Sequence, residues 1–265
     1  MTPRLILILF LALVVASPGV SHEFWIEPEQ YQVQSGQTLR ADLMNGQKFE
    51  GASQAYFENR TERFDLISGA KSTKYSGRMG DVPALVSQNL SEGLLVIVHQ
   101  TRPSSLKYNA WEKFQAFADH KDFPDIRQRH EARGLPDSGF RESYTRFAKS
   151  LIAVDSGHGQ DRQTGLEIEF VALANPYTVA LNGIMPVQLL YQNAPRPNAQ
   201  VEVFERRPSG DVRITLLRTD DRGTVEIPVT SGHTYLLDSV LLRPMTPDEG
   251  DVWETLWAAL TFHVP

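Results

Sequence analysis

Cysteine is absent from all 265 residues. That excludes disulfides, thiolate zinc sites and iron–sulfur clusters, and it leaves His, Asp, Glu, Met or backbone as the available metal donors. It also removes the thiol that a bacterial lipoprotein anchor requires. An excess of positive charge is missing as well: 26 Lys and Arg face 32 Asp and Glu, a formal charge of −6. Nucleic acid and anionic lipid both call for a basic face, so neither is the expected partner, whereas a cation is compatible. No phosphate loop, dinucleotide fingerprint or nucleophile elbow is present. Nor is there an internal repeat, a low-complexity tract or a second long apolar run.

What is present begins with an export signal. In MTPRLILILFLALVVASPGVS, Arg4 supplies a positive start and Leu5 to Ala16 an unbroken apolar run. The run is too short for a bilayer span, which takes about 20 residues. Gly19 and Ser21 then stand two apart, the small-residue spacing that signal peptidase reads. Residues 1–21 are therefore expected to be removed, leaving His22 as the first residue of the mature chain. A cut after Ala16 is the competing possibility. The expected compartment is the periplasm, with secretion as the alternative, and no membrane insertion follows cleavage.

The rest reads as mainly β: two antiparallel β-sandwich (immunoglobulin-like) domains, the first with a helical insertion. Residues 165–265 carry the clearer pattern. GLEIEFVAL, MPVQLLY, AQVEVFE, VRITLLR, TVEIPV and TYLLDSVLL are short β-branched segments separated by turn residues. TDDRG between the fourth and fifth reads as a hairpin turn rather than a calcium loop. The last run, WETLWAALTFHVP, puts Leu256, Ala258, Leu260, Phe262 and Val264 on one face at period two and is expected to close the sheet. Residues 22–155 form the other domain. HEFWIEP, QTLRADLM, RFDLIS and GLLVIVHQ read as strands, and SLKYNAWEKFQAFADH as an amphipathic helix. Phe140, Tyr144, Phe147 and Leu151 follow at helical spacing, predicting a second helix that turns to strand near its end. The polar, glycine-rich segment 155–165 is the expected boundary.

Certain of these segments are similar to a known family. HEFWIEP directly after an export signal, RPSSLKYNAWEKF, RESYTRFAKSLI, NPY and a terminal sandwich ending AALTF together resemble a periplasmic domain-of-unknown-function family labelled as a nickel or cobalt uptake, substrate-specific component. The resemblance implies a metal-binding accessory that passes its ion to a membrane transporter. It also implies a mature chain beginning with His and an acidic residue, here His22 and Glu23. Histidine-rich tracts, common in nickel-handling proteins, are missing, so nickel, cobalt and copper all stay open.

A terminal histidine has its own chemistry. Its α-amine, with an ordinary pKa of about 8, and its Nδ1 can close a chelate ring on one ion. A second imidazole completes a planar three-nitrogen set that suits Cu(II) or Ni(II), and the Irving–Williams order favours copper. His99, at the end of a buried strand, is the first choice for that imidazole and His263 the second. Glu23 and Glu27 are candidate oxygen donors. His120, His130, His158 and His233 read as solvated. The expected metal ligands are thus His22, His99 and His263, with no catalytic role assigned. Two other functions compete. One is a copper redox enzyme with Phe24, Trp25, Trp111, Trp253 and Trp257 lining a polysaccharide surface, although core packing accounts for most such aromatics. The other is a metal-free adhesion or scaffold module.

Overall fold

A computed structural model describes residues 22–246 and 250–265. The expected signal peptide lies outside these residues. Among the described residues, no helix is long and apolar enough to cross a membrane.

The first half runs β1 (Glu23–Pro28), β2 (Gln32–Val33), β3 (Leu39–Gln47), β4 (Glu50–Gln54), β5 (Thr61–Ser68), β6 (Lys71–Lys74), β7 (Leu85–Ser87), β8 (Gly93–Thr101) and β9 (Ser104–Tyr108). The helices α1 (Trp111–His120) and α2 (Ile126–Ala132) follow, then the long strand β10 (Phe140–Val154). The second half holds β11 (Ile168–Ala172), β12 (Ile184–Tyr191), β13 (Ala194–Pro195), β14 (Gln200–Arg206), β15 (Val212–Arg218), β16 (Thr224–Pro228), β17 (Thr234–Pro244) and β18 (Trp253–His263). The chain is mainly β, its sheets are open, and the helices are inserted between β9 and β10.

A ten-stranded sheet is the middle layer, in the order β15-β14-β17-β18-β10-β8-β5-β6, with β2 and β9 also on β10. Phe170, Val187, Leu189 and Ile227, from the sheet built on β11 and β12, pack with Leu256, Ala258, Leu260 and Phe262. The sheet of β1, β3, β4 and β7 shares a second core with Ile97, Ile152, Phe204, Leu236 and Ala259. Successive strand residues face opposite ways, so even-numbered residues of β17 and odd-numbered residues of β18 carry this second face. The helices cover more of it: Trp111, Phe114 and Phe117 pack with Val240, Leu242 and Trp257. In the β3–β4 hairpin, Gly46 faces Gly51, and a Cβ on Gly46 would sit 2.0 Å from the Glu50 carbonyl oxygen. Hydrogen alone fits there.

Three sequence expectations change. Phe140–Val154 is strand throughout, not helix. Both its faces are buried, Phe147 and Leu151 in one core and Ala148 and Ile152 in the other, so the period-two signal is erased. β18 does not close the sheet; it lies at its centre, antiparallel to β17 and parallel to β10. TDDRG does not turn a hairpin either, because β15 pairs with β14 and β16 pairs with β12 in another sheet. The turn carries the chain across the sandwich. Strands from both halves of the sequence therefore share the middle sheet, joined at β10 and β18. The 155–165 segment between them is pinned: the Asn175 amide donates to the carbonyls of Gly157 and Gly159, and Asp161 is buried.

Candidate metal centre

The small sheet and the helices cover neighbouring parts of one face, and charged side chains are sealed where they meet. Asp238 of β17 falls between Leu236, under the small sheet, and Val240, under the helices. Its direct cross-strand partner is Glu202 of β14. Glu23, the first residue of β1, and Lys121, just past α1, close over the pair. Lys121 Nζ donates to Glu202 at 2.8 Å and to Asp238 at 3.0 Å, with Glu23 at 3.5 Å. All four residues are at most 4 % exposed. His120 is different: its half-exposed ring places Nε2 3.5 Å from Glu202, opening the cluster to solvent.

Three carboxylates and one ammonium leave excess negative charge in a medium that penalises it. Burial pushes the Glu23 carboxyl up and carries Asp238 to about 7, against the pull of Lys121. Burial acts on Glu202 in the same direction, but hydrogen bonds and charge from His120 and Lys121 outweigh it and hold Glu202 below its ordinary value. The hydrogen bond to Glu202 raises His120. Burial opposes the charge on Lys121, and the three carboxylates overcome it. Two oxygens, Glu23 Oε2 and Asp238 Oδ1, are buried without any partner. Such atoms are uncommon in folded proteins because each forfeits its hydration.

Among the described residues, Glu23, His120 and Glu202 are the three whose donor atoms all lie within 4.8 Å of one another. Two carboxylates and an imidazole make a hard-to-borderline donor set that suits first-row divalent ions.

The three histidines expected as ligands lie elsewhere. His22 is exposed, immediately before β1, and its carbonyl accepts from Arg146 Nη2 at 3.2 Å. His99 is 2 % exposed, its ring 5.4 Å from that of Phe24 and 4.9 Å from that of Phe64. Burial pushes its pKa down to about 3, so the ring is neutral. His263 stacks near Tyr31 and lines a cleft with Glu27 and Pro28. The length of β1, roughly 20 Å at about 3.3 Å per residue, separates that cleft from His22. The fold thus sets His22 and His99 toward one end of β1 and His263 at the other. None of the three belongs to the donor trio, whereas Glu23 does. Glu27 instead pairs with Arg206 and accepts from the Trp25 indole at 2.6 Å.

Two other histidines also differ from expectation. His130 is fully buried, accepting from the Trp253 indole at 3.0 Å and bonded to the Pro136 carbonyl. His233 is half-buried against Glu205. Phe24, Trp25, Trp111, Trp253 and Trp257 are all buried, at most 6 % exposed, and form no surface.

Comparison with known families adds a placement. A family described as "Domain of unknown function (DUF4198)" matches residues 20–242. The chain belongs to this family. No curated protein matches it. Similar solved structures include the D0–D1 domain of intimin (14 % identity, 90 % of this chain and 97 % of that one, TM-score 0.22). Another is a DUF3823 family protein from Bacteroides uniformis (11 % identity, 92 % of this chain and 100 % of that one, TM-score 0.22). These scores carry no inference about the DUF4198 chain.

Proposed function

We propose that this DUF4198 protein binds a divalent transition-metal ion through Glu23, His120 and Glu202. It would act in the periplasm, after loss of residues 1–21, as a non-catalytic accessory that hands nickel, cobalt or copper to a membrane transporter. The observation that carries the reading is the convergence of those three donors within 4.8 Å. Charge supports it: a divalent ion added to three carboxylates and Lys121 brings the buried cluster to neutrality. The unpartnered oxygens of Glu23 and Asp238 support it too, since a cation would satisfy them. His120, at the solvent edge, is the entry ligand. Loss of residues 1–21 would free the His22 amine one residue from Glu23, outside the donor trio.

Calorimetric titration of the exported, chelator-treated protein with Ni(II), Co(II), Cu(II) and Zn(II) tests this. One ion per chain is expected, and His120→Ala should weaken it at least tenfold. An alanine added ahead of His22 turns the amine into an amide, and any weakening reports how far that amine participates. Absence of binding by every ion would leave the adhesion or scaffold reading.

A further inference from the structure

A cavity away from the carboxylate cluster has Arg146 in its lining. Between the β1–β3–β4 hairpin layer and strands β5, β8 and β10, this cavity of about 240 Å³ opens to solvent. The charged side chains lining it are Arg60, Arg102 and Arg146, with no carboxylate among them. On a chain of net charge −6, that local concentration of guanidinium is directed at an anion.

Two buried polar atoms on the cavity residues lack partners. The first is Arg146 Nε. The remainder of that guanidinium is fixed: Nη1 donates to Asn45 Oδ1 at 3.0 Å and Nη2 to the His22 carbonyl at 3.2 Å. Tyr144 and Phe24 hold its flat faces, at 5.0 and 5.7 Å from the ring centroids. A guanidinium immobilised this way keeps its Nε–H unpaired beside the cavity and could engage an anion at little entropic cost. The second atom is His99 Nδ1. Thr61 Oγ1 donates to the Phe57 carbonyl at 3.0 Å, so toward His99 Nε2, 3.5 Å away, it acts as acceptor. That places the ring proton on Nε2 and leaves Nδ1 as a lone pair seeking a donor. His99 and Arg146 both pack on the Phe24 ring, so one aromatic side chain links the donor need and the acceptor need.

We infer that this cavity binds a small organic hydroxycarboxylate, its carboxylate on Arg146 and its hydroxyl donating to His99. An amine in place of the hydroxyl would bring a cation among three arginines, which disfavours amino acids. Phe24, Leu43 and Phe57 offer an apolar wall for the carbon skeleton, which an inorganic anion would leave uncovered. Arg60 and Arg102, exposed at the rim, suit a second carboxylate, which would compete with the 3.6 Å pairing of Arg102 with Glu62. The inference is independent of the metal reading, because it uses none of its three ligands.

Isothermal titration of chelator-treated protein tests it, with malate, succinate, inorganic phosphate and glutamate as probes. Malate should bind, and succinate, which lacks only the hydroxyl, should bind at least fivefold more weakly. His99→Phe, which keeps an aromatic ring against Phe24, should erase that preference. The double change Arg60→Gln, Arg102→Gln at the exposed rim should weaken malate several-fold with an unchanged melting profile, and Arg146→Lys should weaken it at least tenfold. Equal affinity for malate and succinate, tighter binding of phosphate than of malate, or no binding of any probe at millimolar concentration would overturn the assignment.

Discussion

Among the described residues two lysines are buried, and their surroundings differ in one respect. Lys149, 1 % exposed, donates to Asp161 at 2.9 Å, to Glu169 at 3.4 Å and to the carbonyls of Arg162 and Phe170. Its carboxylates are saturated: Asp161 also accepts from the amides of Arg162 and Ala172, and Glu169 from those of Thr164 and Gly165. Lys121 faces one carboxylate more, with two oxygens left bare. A buried ion pair with every lone pair filled is a structural clamp, here tying the 155–165 segment to β10 and β11. One with carboxylate to spare, beside a half-exposed imidazole, has negative charge left unbalanced. Saturation, not burial, separates the two.

Substitution should separate the two lysine clusters. Lys149→Met should have the largest effect, a loss of about 3–5 kcal/mol in denaturant unfolding, because it strands two buried carboxylates. No divalent ion should restore it. Lys121→Met should cost less in metal-free protein, about 2–3 kcal/mol, since Asp238 and Glu23 can take up protons in place of the ammonium. Its melting temperature should rise more with Ni(II) than that of the wild type, because the ion replaces the lost charge. Equal responses of the two methionine variants to Ni(II) would remove the distinction between the clusters.

Acidity offers a finer probe. The Asp238 carboxyl, ordinarily near 3.8, is raised to about 7. A raised carboxyl stabilises the fold where it is protonated in both states, and that contribution is lost as pH climbs from about 4 through 7. Glu142, buried and also carried to about 7, adds to the same slope. Asp238→Asn should therefore flatten part of the fall in metal-free stability over that range. Metal affinity should rise across it, because the ion competes with protons on the raised carboxyls of Asp238 and Glu23. The smallest effect belongs to His263→Ala, which should leave metal affinity within twofold of wild type.

Much of the fold was legible in the sequence because its strands carry their own periodicity. Leu256 to Val264 alternate as read and do pack in one core. The helix over Trp111–His120 followed from its apolar stripe. β10 was not legible, since burial on both faces hides the alternation that marks a half-buried strand. The site was harder still. Glu23 could be singled out by its place behind the signal, but Glu202, flanked by Val201 and Val203, looks like any solvent-facing strand position. It becomes buried only because a helix from 80 residues earlier folds over that face and brings Lys121 with it. His130 misleads for the same reason: among Arg127, Arg129 and Arg133 it reads as surface, yet Trp253, far along the chain, encloses it. Alternation reports which face a residue occupies; what covers that face is a long-range fact.

The unsaturated cluster, and not the scattered histidines, is the proposed seat of the ion. Titration of Ni(II) into exported wild-type protein and into Glu202→Gln, both verified as folded by circular dichroism, tests it most directly. Saturation at one ion per chain in the wild type, with affinity at least tenfold lower in the variant, is the predicted result. Equal affinity in the two proteins would contradict it and move any bound metal away from Glu23, His120 and Glu202.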